Sequence, residues 1–210
     1  MTRKELKRVL ERHRQWLAGE GGRRADLAGE NLRRVNLNQE DLRLAHLYDA
    51  KMEAADLSGA DLSGANLRGA KLRSADLSYA NLRHTNLYYA ILETSNLRHA
   101  NLSGANLRNA DLADADLSDA DLSGALLRSA WLFDADLSCA NLRGVDLNGA
   151  NMYRADLRGV RTNWFTRMTA RDARNLTAEQ RAQLGTQPPP RAGNARRAHS
   201  AAQLARRLAR

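Results

Sequence analysis

From Ala25 to Leu157 a large apolar residue returns at every fifth position: Leu27, Leu32, Leu37, Leu42, Leu47, Met52 and onward. All 27 centres are Leu except Met52 and Met152, and 21 of the 27 positions two residues earlier are Ala. Between the two stands Asp or Asn in most units, as in Ala55-Asp56-Leu57-Ser58-Gly59. A period of five suits neither regular element. On an α-helix, five residues advance about 500°, so successive Leu would step around the cylinder and form no stripe. On a flat strand, odd spacing would send them to opposite faces. One shared core requires the chain to turn in a constant sense once per unit, which describes a solenoid built from internal repeats.

The departures from consensus indicate how many units close a turn. Lys51 and Lys71 lie 20 residues apart, as do Gly104, Gly124 and Gly144; Tyr48 and Tyr88, Glu53 and Glu93, and Ile91 and Trp131 lie 40 apart. Four units per coil fits these coincidences better than three. The 27 units then make nearly seven coils, and a rod about 32 Å long at about 4.8 Å per coil.

The run A-[DN]-L-x-x resembles the pentapeptide-repeat family over about 135 of the 210 residues. The resemblance implies an all-β solenoid, a right-handed quadrilateral β-helix, with the centre and the preceding Ala inward and the other three positions outward. Large Leu and small Ala can then interlock without voids. The inward positions that break the pattern are Glu30, Val35, Glu40, Thr85, Ser95 and Val145. A buried carboxylate is costly. Glu30 and Glu40 are therefore expected at the loosely packed N-terminal end, near solvent or near Arg33 and Arg34.

The ends read differently, and four segments result: 1–22, 23–160, 161–187 and 188–210. Residues 2–18 predict a capping helix, with Thr2-Arg3-Lys4-Glu5 as a capping box and Leu6, Val9, Leu10, His13 and Leu17 as its apolar stripe. Gly19, Gly21 and Gly22 release the chain into the first coil. Past Val160 the repeat dissolves, and Trp164 and Phe165 are expected to plug the far end. A short helix is predicted over 178–184, N-capped by Thr177 and stopped by Gly185; the stretch from Leu176 to Gln180 resembles the segment that often follows the last coil in this family. Pro188-Pro189-Pro190 marks a stiff break before a tail holding six Arg and no acid. That tail reads as a solubilising extension, or as a basic segment that docks on nucleic acid, a membrane surface or the chain's own acidic coil.

Charge changes the picture only when divided along the chain. Residues 1–24 carry eight Lys/Arg against three Glu, residues 25–159 carry 14 against 19 Asp/Glu, and residues 160–210 carry 11 against two. The repeat body is mildly acidic and both ends are basic. The single cysteine, Cys139, excludes an internal disulfide framework. No apolar run of 18 residues exists to span a membrane, and the expected location is cytoplasmic. His13, His46, His84, His99 and His199 form no metal-ligand spacing with one another or with Cys139. A filled Leu/Ala interior implies no cleft, and no phosphate-cradling Gly loop is present. Neither a catalytic site nor a cofactor or metal is expected.

Function must then lie on the outward positions. If faces are numbered from the unit 25–29, the third and fourth keep Asp or Asn before every centre. On the first and second that column contains His46, Lys51, Lys71, Ile91, Leu126 and Trp131, and these faces also carry Tyr48, Tyr88, Tyr89, Tyr153 and Phe133. The fold needs nothing apolar there, so Leu126, Trp131 and Phe133 point to a protein interface, either with another protein or with a second copy of the chain. A different possibility is packing by the C-terminal segment folded back along the rod.

The resemblance also implies a second function, since some relatives mimic duplex DNA and protect DNA gyrase. The third face would carry it through Asp56, Asp76, Asp116, Asp119, Asp136 and Asp156, set against Arg98 and Arg158. Magnitude opposes it: about 32 Å of duplex bears about 19 negative charges at one per about 1.7 Å, and those relatives mix Phe with Leu at the centre, where this chain has no Phe. The third alternative is nucleic-acid binding through the basic tail.

Overall fold

A computed structural model describes residues 1–163, 166, 168 and 176–184. The plug expected at Trp164 and Phe165 and the basic tail at 188–210 lie outside the described residues. Helix α1 spans Arg3–Leu17 and helix α2 spans Ala178–Gln183. Between them the chain forms one-residue parallel β-bridges, each joining residue i to residue i+20, from Asp26↔His46 to Asn141↔Arg161. Four units therefore close each coil, and the body is a four-sided β-helix of nearly seven coils.

The five-residue unit is explained by where its N–H groups go. The centre donates to the next coil, as Leu27 does to His46 O at 2.8 Å. The fifth residue does the same, Gly29 to Tyr48 O at 2.9 Å, while the residue before the centre donates back, His46 to Ala25 O at 2.9 Å. The inner small residue closes a turn, Ala45 to Leu42 O at 3.0 Å. Only the fourth N–H has no backbone acceptor, and the Asp or Asn two residues earlier takes it, as Asp26 Oδ1 accepts from Ala28 at 3.3 Å. A buried or half-buried N–H without an acceptor is costly. The Asp/Asn consensus is thus a backbone requirement, met again at Asp56 with Ser58 (3.1 Å) and Asp136 with Ser138 (2.8 Å).

Every unit places its fifth residue at positive φ, between 53° and 76°, and 18 of the 27 are not glycine. An L-residue in that region costs about 1–2 kcal/mol. Ala54, exposed at φ 56°, isolates the effect because its side chain is a single methyl. Ala54→Gly is expected to raise stability by about 0.5–1 kcal/mol, or about 1–4 °C in Tm. Ala55→Gly, one residue on but inward, is expected to lower it; equal shifts of both variants in one direction would contradict this reading.

The core is the stack of centres and inner Ala, all buried from Ala25 to Leu157. Thr85 and Ser95 are tolerated inside because their hydroxyls donate to backbone carbonyls, Leu62 O at 2.9 Å and Leu92 O at 2.6 Å. At the N-terminal end α1 lays Leu6, Leu10 and His13 over the first coil, with the predicted capping box in place. Glu30 and Glu40 are half-buried, but their partners are not Arg33 and Arg34. Glu30 pairs with the Met1 amino group at 3.1 Å and Glu40 with Arg14 at 3.4 Å, so both clasp α1. Arg33 instead pairs with Glu53 at 2.8 Å.

His13 sits fully buried beneath α1 and joins the helix to the solenoid. Its Nδ1 accepts the Ala25 N–H at 3.1 Å, replacing the coil that is absent below, and its ring stacks on Trp16 at 5.7 Å. Nε2 is buried without a hydrogen-bond partner. Burial pushes the His13 pKa below its ordinary value; Asp41 and the Arg43 backbone act against that shift, while the charges of Arg43 and Arg24 reinforce it. A depressed pKa means that the unfolded chain binds the proton more readily. Stability from the docked cap is therefore complete above about pH 6.5 and is lost as pH falls through the lower folded value. Limited proteolysis within residues 1–24 is expected to accelerate between pH 7.5 and 5. In His13→Leu that dependence should flatten and stability at pH 7.5 fall by about 1–3 kcal/mol, because Ala25 N–H is orphaned; an unchanged pH dependence in this variant would contradict the assignment.

The other end is closed by α2, whose neighbours Leu176 and Leu184 are buried against the last coil. Its Gln180 Nε2 donates to Ala155 O at 2.8 Å while Gln180 Oε1 accepts from Thr177 N–H in a second capping box. Thr166 Oγ1 donates to Leu142 O at 2.7 Å, satisfying part of the last coil's edge.

Candidate functional site

The outward aromatic and apolar residues fall into two clusters. In the sixth and seventh coils, Trp131 is 61% exposed and Phe133 stacks on Tyr153 of the adjoining coil at 5.7 Å. Arg154 places its guanidinium 5.8 Å from the Phe133 ring centroid and pairs with Asp134 at 2.8 Å. Leu126, half-buried, occupies the adjoining first face of the same coil. Trp131 bridges Asp111 on one side and Asn151 on the other, so Asp111 separates it from Ile91.

The second cluster is smaller. Tyr88 and Tyr89 meet at 4.3 Å, tilted, and Arg68 lies 5.8 Å over the Tyr88 ring. Tyr48 stands two coils from Tyr88, 45% exposed. Sequence columns correctly give each residue's face but do not say which neighbours touch, and the contributions of Arg68 and Arg154 come only from geometry. Tyr79, the most exposed tyrosine at 69%, is on the third face and stacks on His99 at 4.8 Å.

The local cost of the departures is visible in the hydrogen bonds. All 21 units with Asp or Asn before the centre close the turn to the fourth N–H, from Asp26 to Asp156. The six units with His46, Lys51, Lys71, Ile91, Leu126 or Trp131 cannot close it, for want of that side-chain oxygen. Leu126 and Trp131 thus replace a residue that the backbone uses.

The acidic third face is partly neutralised. Arg98 lies 3.6 Å from Asp116. Arg158 grips Asp156 and, by hydrogen bonding, holds its carboxyl below the usual carboxylate range. Asp56, Asp76 and Asp136 each commit an oxygen to a serine N–H, and Asp119 stands exposed at a fifth position. A shallow, open depression flanks α1, lined among others by Lys4, Lys7, Arg8, Arg12 and Glu40. Among the described residues no group of His, Cys, Asp or Glu is arranged to hold a metal ion, and no helix is long and apolar enough to cross a membrane.

The family model for pentapeptide repeats matches in eight copies, over residues 25–64, 50–87, 65–102, 90–128 and 127–161. No curated protein matches. Among solved structures, the pentapeptide repeat protein Rfr23 from the cyanobacterium Cyanothece 51142 is 31% identical, with 69% of this chain and 91% of that one covered and a TM-score of 0.40. HetL from Nostoc sp. strain PCC 7120, a pentapeptide repeat protein involved in heterocyst differentiation regulation, is 31% identical over 66% of this chain and 81% of its own, with a TM-score of 0.27. QnrB1, a plasmid-mediated fluoroquinolone resistance protein, is 20% identical over 67% and 84%, with a TM-score of 0.36.

Proposed function

The chain belongs to the pentapeptide-repeat family, and from that premise we propose that it is a non-enzymatic protein-interaction module, a right-handed rod that binds a protein partner through Leu126, Trp131, Phe133 and Tyr153. The observation that carries this reading is Trp131. It occupies a position where a short Asp or Asn would complete the Phe133 turn, and it stands 61% exposed. A large aromatic that costs the fold a hydrogen bond and contributes little to the core is better explained by a contact outside the chain. Tyr153 and Arg154, beside it, are residue types that suit an interface. Tyr48, Tyr88, Tyr89 and Ile91 lie lower on the same two faces and would extend the contact for a longer partner.

Mimicry of DNA through Asp56, Asp76, Asp116, Asp119, Asp136 and Asp156 fits less well. Two of the six carboxylates are paired with arginine, leaving four against about 19 charges on about 32 Å of duplex. The test is a quantitative pull-down from host lysate, with the wild type and a Leu126→Asn/Trp131→Asn double variant as baits, beside sedimentation of each alone. A protein recovered by the wild type and lost by the variant, or a wild-type dimer that the variant abolishes, is the expected result. Identical recoveries and identical sedimentation would overturn the reading, and a DNA-binding enzyme retained by the variant but lost on neutralising the third face would replace it with mimicry.

A further inference from the structure

The exposed side of α1 is a second surface, at the other end of the rod and independent of the interface above. Leu6, Leu10 and His13 face the first coil, and Lys4, Lys7, Arg8 and Arg12 occupy the opposite, solvent side, all exposed. Of the basic side chains of α1, only Arg14 forms an ion pair, with Glu11 at 2.8 Å and Glu40 at 3.4 Å. Glu5 is occupied by the capping box, accepting the Thr2 N–H at 2.7 Å. The acids of the helix are therefore engaged locally, and Lys4, Lys7, Arg8 and Arg12, like Arg3, form no ion pair among the described residues.

We propose that this side of α1 binds the phosphate backbone of nucleic acid without regard to sequence. Lys4 to Arg12 spans about 12 Å of helix, which places four positive charges within reach of several successive phosphates of one nucleic-acid strand. The depression beside the helix adds a concave wall that includes the same lysines and arginines, its two carboxylates, Glu11 and Glu40, being paired with Arg14. A lipid surface is a poorer match, because an interfacial helix needs a free apolar side and that of α1 is covered by the first coil. No exposed aromatic accompanies the cations, since Trp16 is held between His13 and Arg24, so base stacking is not part of the contact. The repeat body, with 14 basic against 19 acidic residues, repels phosphates and keeps the contact off the coils.

The experiment uses the full chain and a labelled mixed-sequence duplex of about 20 base pairs, with anisotropy read from 50 to 200 mM NaCl. Four phosphate contacts give a slope of about −3.6 in log K against log salt, so affinity should fall by roughly 150-fold across that range. Lys4→Gln/Arg8→Gln is expected to weaken binding and make the slope shallower by about 1.8, while Lys4→Arg/Arg8→Lys keeps both. Two results overturn the proposal. One is an unchanged slope in the Gln variant together with loss of binding in Arg206→Glu/Arg207→Glu, which would assign the contact to the tail. The other is competition by polyglutamate as effective as by unlabelled duplex, which would make the surface a site for acidic protein. Thermal melts of each variant separate lost binding from lost fold.

Discussion

Leu102→Ala, in the middle of the rod, is expected to remove about 3–5 kcal/mol of stability, and Leu102→Asp to prevent the central coils from forming. Leu102 has no exposed surface, and its neighbours one coil away are Leu82 and Leu122, equally buried. The backbone around it cannot collapse into the gap. Leu102 N–H is committed to Asp121 O at 2.7 Å, and Asn101 N–H to Ala80 O at 2.9 Å. A domain holds about 5–15 kcal/mol in all, so the Ala variant spends a large share at one position. In a solenoid each coil contacts only its neighbours, and the loss need not melt the whole rod at once. Hydrogen exchange should show protection falling first in residues 80–124, with both ends retaining more. Loss of less than about 1 kcal/mol would contradict the packed interior.

The second large effect concerns Trp131, and it runs in opposite directions for binding and stability. Truncating a central aromatic anchor costs about 2–4 kcal/mol of affinity, or about 30- to 1000-fold. The rod itself should lose nothing. Asn at 131 can accept the Phe133 N–H, as Asn151 Oδ1 accepts that of Tyr153 at 3.2 Å one coil on. Its amide can also donate to Asp111 in the coil before, as Asn141 donates to Asp121 at 2.8 Å. Trp131→Asn is therefore expected to hold or raise Tm, by up to about 1 kcal/mol of stability.

The period of five carries most of the fold openly. It gives the 27 centres, the inner Ala and the four-unit coil, because a solenoid repeats one local rule and each residue's direction follows from its place in the unit. The two helices are equally legible, from the capping box of Thr2 with Glu5 and from Thr177 as an N-cap, since caps are local patterns. What stays hidden depends on docking. Glu30 and Glu40 break the inner pattern visibly, yet their partners Met1 and Arg14 belong to a helix whose placement over the first coil no spacing reveals. His13 reads as one more member of an apolar stripe, and its bond to Ala25 exists only once α1 has docked. The left-handed fifth residues are obscured because most are not glycine, Thr94 and Tyr79 among them. The aromatic columns are readable, but Phe133 against Tyr153 and Arg154 against Phe133 depend on side-chain directions.

The most direct test of the central claim is to measure, on one preparation of Leu126→Asn/Trp131→Asn, both the thermal midpoint and the recovery of the partner or of the dimer. An unchanged or higher midpoint with the interaction lost is the predicted result, because Asn satisfies the backbone that Leu126 and Trp131 leave open. A lower midpoint with every interaction retained would show that the two side chains serve the rod itself.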